Sequence, residues 1–94
     1  MKIQLKFLGS LKYDINKERV EIEISSEMTI HDIVQKLLST PSYEELNSFF
    51  SESLELKRSL LLFVNEQEIS ALSGMSTKLK DKDVLSFIPV IHGG

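Results

Sequence analysis

Met28-Thr29-Ile30-His31-Asp32-Ile33-Val34-Gln35-Lys36-Leu37-Leu38 is the stretch whose reading decides the fold. Thr29 and Asp32 form a capping-box pattern, in which each side chain can satisfy the other residue's backbone N–H, and Met28 and Ile33 hold the two positions of a hydrophobic staple. Ile30, Ile33, Val34, Leu37 and Leu38 then fall on one face at helical spacing. Pro41 closes the segment, because the residue before a proline is disfavoured in a helix. The spacing predicts one amphipathic helix, which needs an apolar surface to cover.

The segments on either side supply that surface. Lys2-Ile3-Gln4-Leu5-Lys6-Phe7 alternates strictly, the period-two signature of a half-buried strand with Ile3, Leu5 and Phe7 inward. Gly9-Ser10 opens a polar loop reaching about Glu18. Arg19-Val20-Glu21-Ile22-Glu23-Ile24 alternates again, with Val20, Ile22 and Ile24 inward. Two adjacent alternating runs read as an antiparallel hairpin.

After the helix, Ser42-Tyr43-Glu44-Glu45 offers a second capping box before Leu46, Phe49 and Phe50. This predicts a short second helix whose apolar residues form a satellite of the core. Ser51 to Lys57 reads as a loop. Leu60-Leu61-Leu62-Phe63-Val64-Asn65 is continuously apolar, the mark of a strand covered on much of both faces. If Leu62 and Val64 point to the helix, Leu61 and Phe63 point away from it. Asn65-Glu66-Gln67 turns into a short strand around Glu68 and Ile69, and an irregular stretch around Gly74 follows. Leu79-Lys80-Asp81-Lys82-Asp83 reads as a polar turn into a last strand, Val84 to Ile88. Pro89 cannot donate to a ladder and marks where pairing should stop. A helix between an early hairpin and later strands favours a crossover, with the last strand parallel to the first in the middle of a mixed sheet. The expected architecture is α+β: a roll of four or five strands gripping one main helix, with a short second one.

Ninety-four residues suit one domain, 1–94, with a flexible tail expected over 89–94. There is no cysteine, which excludes a disulfide framework, a thiolate nucleophile and an iron–sulfur cluster and suits a reducing cytoplasm. The longest apolar run, Leu60 to Val64, is far short of a membrane span, and no apolar signal segment opens the chain. A soluble, cytoplasmic protein without membrane contact is expected. The net charge of −3 carries no electrostatic footprint for nucleic acid, because Asp81 and Asp83 offset Lys78, Lys80 and Lys82. His31 and His92 are the only histidines, so no metal site is expected. Among the serines none has a histidine at a recognisable spacing, so no catalytic group of the chain's own is expected either.

The remaining feature is the end, Pro89-Val90-Ile91-His92-Gly93-Gly94. Glycine lacks a Cβ, so such a tail can thread a narrow channel and present a sterically open carboxylate. The expectation is that Gly93 and Gly94 form a reactive terminus, with Pro89, Val90, Ile91 and His92 as the handle that docks it. If Leu85 and Phe87 turn inward, Ile88 joins Leu61 and Phe63 in an apolar patch beside the tail. That patch suits partner binding unless the second helix or the Ser51 to Lys57 loop folds over it.

Phe63-Val64-Asn65-Glu66-Gln67-Glu68-Ile69, then Leu79-Lys80-Asp81-Lys82-Asp83-Val84-Leu85-Ser86-Phe87 and the terminal Gly-Gly, resemble the ubiquitin-like sulfur carriers and small modifiers. These include the small subunit of molybdopterin synthase (MoaD), the thiamine sulfur carrier (ThiS), archaeal small modifier proteins and the ubiquitin-related modifier of tRNA thiolation. The resemblance implies a β-grasp fold and a recycled cosubstrate that binds no cofactor itself. A partner adenylyltransferase of the ubiquitin-activating type would use ATP and Mg²⁺ to adenylate Gly94. A sulfur donor protein would then yield a thiocarboxylate for molybdopterin synthesis or tRNA thiolation, or a target lysine would form an isopeptide bond. The implied partners also include a molybdopterin synthase large subunit or a tRNA-thiolation enzyme. Pro89-Val90 resembles the molybdopterin subunit, His92-Gly93-Gly94 the ubiquitin-related modifier. Glu66 and Lys82 stand where the family more usually has glycine. Three readings stay open: sulfur carrier, protein modifier, and non-covalent β-grasp adaptor.

Overall fold

The hairpin forms in the register that the alternation implies. In the computed structural model, which describes residues 1–91, β1 (Lys2–Phe7) and β2 (Arg19–Glu23) pair antiparallel, with Ile3 opposite Ile22 and Leu5 opposite Val20. Ile3, Leu5 and Phe7 are buried, whereas Val20 and Ile22 on the edge strand are half-buried. The segment between them departs from the polar loop expected there. Leu11–Asp14 forms a single helical turn, α1, and Leu11 and Ile15, four residues apart on one face, both drop into the core. Asn16 follows the turn at φ 61°, a left-handed residue of the kind that commonly ends a helix.

The helix α2 (Ile30–Leu38) carries the capping box intact. The Asp32 N–H donates to Thr29 Oγ1 at 3.2 Å, and the Thr29 N–H donates to Asp32 Oδ2 at 3.0 Å. The Thr29 N–H, with the Thr29 hydroxyl and His31 as lesser causes, holds the Asp32 carboxyl below its ordinary range. Ile30, Ile33, Val34 and Leu37 are buried against the sheet.

Pro41–Phe49 holds two short 3₁₀ segments joined across a kink at Tyr43 (φ −116°, ψ 17°), and the second capping box does not form. Its N-cap is Thr40, extended at φ −108° and ψ 120°, with Pro41 in the first turn. Proline forces the preceding residue out of helix and suits the first helical position itself, so the cap falls on Thr40, two residues before Ser42. Tyr43 turns inward: its ring centroid lies 5.9 Å from that of Phe7, and burial raises its phenol pKa. Tyr43, Leu46 and Phe50 belong to the same hydrophobic cluster as the sheet residues, so they are part of the main core and not a satellite of it.

β3 (Leu60–Val64), β4 (Gln67–Glu68) and β5 (Val84–Pro89) complete a five-stranded sheet in the order β2-β1-β5-β3-β4. β5 is parallel to β1 and antiparallel to β3, as the crossover requires. Ile69 begins a short 3₁₀ turn and is buried; it does not extend β4. Leu79 is 2 % exposed, so the polar turn expected over 79–83 has an apolar anchor at its first position. Phe87 stacks on Phe7 with centroids 5.1 Å apart, and both are fully buried between sheet and helices. No helix among the described residues is long and apolar enough to cross a membrane.

Candidate functional site

β5 positions the candidate site, and its start is fastened by the residues that carry the sequence motif. Asn65, at φ 56°, leaves β3 in the left-handed conformation that asparagine tolerates better than most residues. Its N–H donates to the Val84 carbonyl at 2.8 Å. Its side-chain amide donates to Asp83 Oδ1 and accepts from the Val84 N–H, each at 3.0 Å. The other Asp83 carboxylate oxygen accepts the Lys80 N–H at 2.8 Å, and Asp81 Oδ1 accepts the Lys2 N–H at the same distance. The Lys82 N–H donates to the Lys2 carbonyl at 2.7 Å, with Lys82 at φ 72°. The asparagine and the two aspartates thus tie the start of β5 to the ends of β1 and β3. A glycine would hold φ 72° without strain, which accounts for its frequency at the position of Lys82 in the resembling pattern.

The other end of β5 is held more lightly. The strand ends at Pro89, as expected, but it includes the proline and does not stop at Ile88: Pro89 is the last residue of β5 and faces Leu60, and one further bond runs from the Val90 N–H to the Ser59 carbonyl at 2.9 Å. Hydrogen bonds to β3 fall at even positions of β5, as those at Val84 and Val90 show, while Phe87 turns its carbonyl to the Leu8 N–H on the β1 side. Proline's missing donor therefore faces β1, which has already ended at Phe7, and the β3 ladder loses nothing. Gly9, at φ 57°, bends the chain beneath the ring; a Cβ there would lie 3.3 Å from Pro89 Cγ. The tail leaves the sheet after Val90, and Ile91 is 91 % exposed. The expected handle thus divides: Pro89 and Val90 are held by the sheet and Ile91 stands in solvent. His92, Gly93 and Gly94 lie outside the described residues.

The expected patch comes together on the sheet face turned away from α2. Leu61 and Ile88 are direct partners across the β3–β5 ladder, and Phe63 lies two residues further along β3 on the same face, opposite Ser86. Leu61 is 36 % exposed, and Phe63 and Ile88 are half-buried. The Pro41–Phe49 helix and Phe50 pack into the core on the α2 side, so they do not cover these three residues. Leu8 and Val90, both half-buried, extend the patch toward the tail by the same alternation; the run from Lys2 to Leu8 carried the signal for Leu8. Ser86 supplies a small, buried floor between Phe63 and Lys6. Along the patch, Lys6 and Arg19 lie toward β2 and Glu68 toward β4. His31 sits in the first turn of α2, half-exposed, with Nδ1 3.9 Å from Asp32 Oδ1. Lys78 pairs at 2.9 Å with Glu27 in solvent, which lowers the Glu27 pKa and raises that of Lys78.

A mixed sheet gripping one helix, with a central strand running out beside an open apolar face, defines a ubiquitin-like β-grasp protein. The family model Urm1 (ubiquitin related modifier) matches residues 2–94, and the chain belongs to that family, one of ubiquitin-like modifiers and sulfur carriers. Small archaeal modifier protein 3 of Haloferax volcanii is 26 % identical over 94 residues, spanning 100 % of both chains. A candidate sulfur carrier protein of Archaeoglobus fulgidus is 26 % identical over 84 residues, 89 % of this chain and 93 % of its own. The solution structure of a Haloferax volcanii protein, 26 % identical, superposes with a TM-score of 0.83 and covers 100 % of this chain and 87 % of that one.

Proposed function

We propose that the protein is a sulfur carrier that acts as a cosubstrate, with the Gly94 carboxylate as its reactive group. A carboxylate is a poor acyl donor because oxide would have to leave. A partner adenylyltransferase remedies this by transferring AMP from ATP–Mg²⁺ to the carboxylate, with loss of pyrophosphate. The terminal sulfur of a donor persulfide then attacks the acyl carbon and AMP leaves. A donor thiol cleaves the resulting acyl disulfide, which releases the thiocarboxylate and leaves a disulfide on the donor. This thiol chemistry suits the reducing cytoplasm.

The observation that carries the reading is the course of β5: paired on both sides, held by β3 as far as Val90, and leading at once into an exposed Ile91. Such an end offers the following residues to a second protein without unfolding the first. In this reading Leu61, Phe63 and Ile88 dock the adenylyltransferase, and Pro89, Val90, Ile91 and His92 guide Gly93 and Gly94 into its channel. A positioned end reacts as a near-unimolecular partner, which lowers the barrier to acyl transfer.

A second reading shares the adenylate: attack by a lysine amine of a target protein would join it to Gly94. Likeness to a small archaeal modifier protein favours keeping it. A finer form, a subunit of molybdopterin synthase, requires a stable complex with the large subunit, which copurification tests. The deciding experiment incubates the protein with its adenylyltransferase, ATP–Mg²⁺ and a persulfide donor and follows intact mass. An oxygen-to-sulfur exchange localised to Gly94 is expected; no adenylate and no exchange would sink the proposal.

A further inference from the structure

β2 is an open edge of the sheet, separated from β5 by β1. The Phe7 N–H donates to the Glu18 carbonyl at 2.9 Å and the Ile24 N–H to the Met1 carbonyl at 2.8 Å, so the even residues of this run face β1. The backbone groups of Arg19, Glu21 and Glu23 therefore point away from the sheet. Among the described residues their three N–H groups have no hydrogen-bond partner. Beside this edge, between β2 and α2, lies a hollow of 290 Å³ whose apolar lining is Ile22, Met28, Ile33, Leu37 and Tyr43. Glu23 lies on its β2 side and Lys36 and Thr40 complete its wall, so a basic side chain is favoured along Glu21 and Glu23 and not inside the hollow.

Charge separates the candidate occupants. Glu21 and Glu23 stand on the outer side of β2. The Arg19 guanidinium is turned to Gln4 Oε1 at 2.9 Å, and the Lys2 ammonium is only 3.9 Å from Glu21. Glu23 has no ion-pair partner among the described residues. A second copy pairing edge to edge would set glutamates of the two copies near one another, which is unfavourable across a ladder. A strand with basic side chains on that side meets the opposite situation.

We infer that the β2 edge and its hollow receive an extended segment of a partner protein, alternating apolar and basic residues, as an added strand. Its backbone bonds the free N–H and C=O groups of Arg19, Glu21 and Glu23. Its apolar side chains enter the hollow against Ile22, Met28 and Leu37, and its basic side chains lie along Glu21 and Glu23. The outer patch around Leu61 and the tail stay free, so such a partner and an enzyme acting at the tail can be engaged together.

The test titrates the ¹⁵N-labelled full chain with a capped octapeptide alternating valine and lysine, and with the same peptide carrying glutamate for lysine. Amide shifts confined to Arg19–Glu23, Met28, Ile33, Leu37 and Tyr43, with slowed exchange of the Arg19, Glu21 and Glu23 N–H, are expected for the lysine peptide. Glu21→Pro removes an outward donor without touching the β1 ladder and should weaken binding about five- to tenfold. Glu23→Lys, at an exposed position, should shift the preference toward the glutamate peptide whether or not Glu21→Pro folds. Equal affinity for both peptides, shifts centred on Leu61, Phe63 and Ile88, no shifts at all, or edge pairing between copies seen as a doubled mass would each overturn the inference.

Discussion

The two ends of β5 are built on different principles. At the start, one asparagine and two aspartates make a side-chain network that joins Val84 and the turn before it to Asn65, Lys2 and Lys80. At the exit, beyond the bond of the Leu8 N–H to the Phe87 carbonyl and the pairing of Pro89 with Leu60, the strand is held by a backbone bond from Val90 to Ser59 and the seat of Pro89 over Gly9. The motif residues that stand out in the sequence therefore do mechanical work far from the tail, while the end that the proposed chemistry uses is deliberately plain. A strand that must deliver its last residues to another protein has to be fixed somewhere else, and here it is fixed at its beginning.

Breaking the start should cost the most. Asn65→Ala removes an amide that both donates and accepts and puts alanine at a left-handed φ, so a loss of about 2 kcal/mol in urea unfolding is expected. The folded fraction should still be activated at the normal rate. Loss of activation without loss of stability would reverse the roles assigned to the two ends.

A change beside the exit should have the opposite profile. Leu61→Glu places a charge on the open face, and activation by the adenylyltransferase should fall about tenfold at limiting protein, as expected where a central docking residue is lost. Its unfolding free energy should stay within about 0.5 kcal/mol of the parent, since Leu61 is a surface position. The smallest effect expected is a gain: Lys82→Gly relieves the left-handed residue at the start of β5. Its unfolding free energy should rise by about 0.5–1 kcal/mol after the entropy of glycine in the unfolded chain is subtracted. A lower melting temperature for Lys82→Gly would show that the lysine side chain contributes something the geometry does not reveal.

What was legible in the sequence follows the same division between local and distant causes. The capping box of α2, the alternation of β1 and β2 and the inward placement of Leu62, Val64, Leu85 and Phe87 depend on neighbours within a turn or two, and each appears where the pattern puts it. Leu11 and Ile15 were hidden because two apolar residues in one turn make too short a period to stand out from the polar residues around them. Leu79 was masked in the same way by the charges that follow it. The start of the 3₁₀ helix was legible in Thr40-Pro41, yet the Ser-x-x-Glu pattern after it was the stronger lure. Pro89 shows the limit of a one-residue rule. Whether a missing donor ends a strand depends on which neighbour it faces, and that is fixed by a register set many residues away.

For the candidate site, the face shared by Leu61, Phe63 and Ile88 was readable from alternation alone. Its openness was not, because it rests on where the 41–50 segment packs. The network at the start of β5 was visible only as a pattern of residues, since the hydrogen bonds of Asn65 join positions 18 and 19 apart in the chain and that of Asp81 to Lys2 joins positions 79 apart.

The central claim, that the chemistry belongs to the tail and the sheet only presents it, is tested most directly by ATP–pyrophosphate exchange with the adenylyltransferase. The intact protein and one lacking Gly93 and Gly94 are compared at equal concentration. The account predicts that exchange disappears in the shortened protein while its melting temperature is unchanged, because the described core ends before those residues. Exchange at the same rate in both would contradict it and favour a non-covalent adaptor.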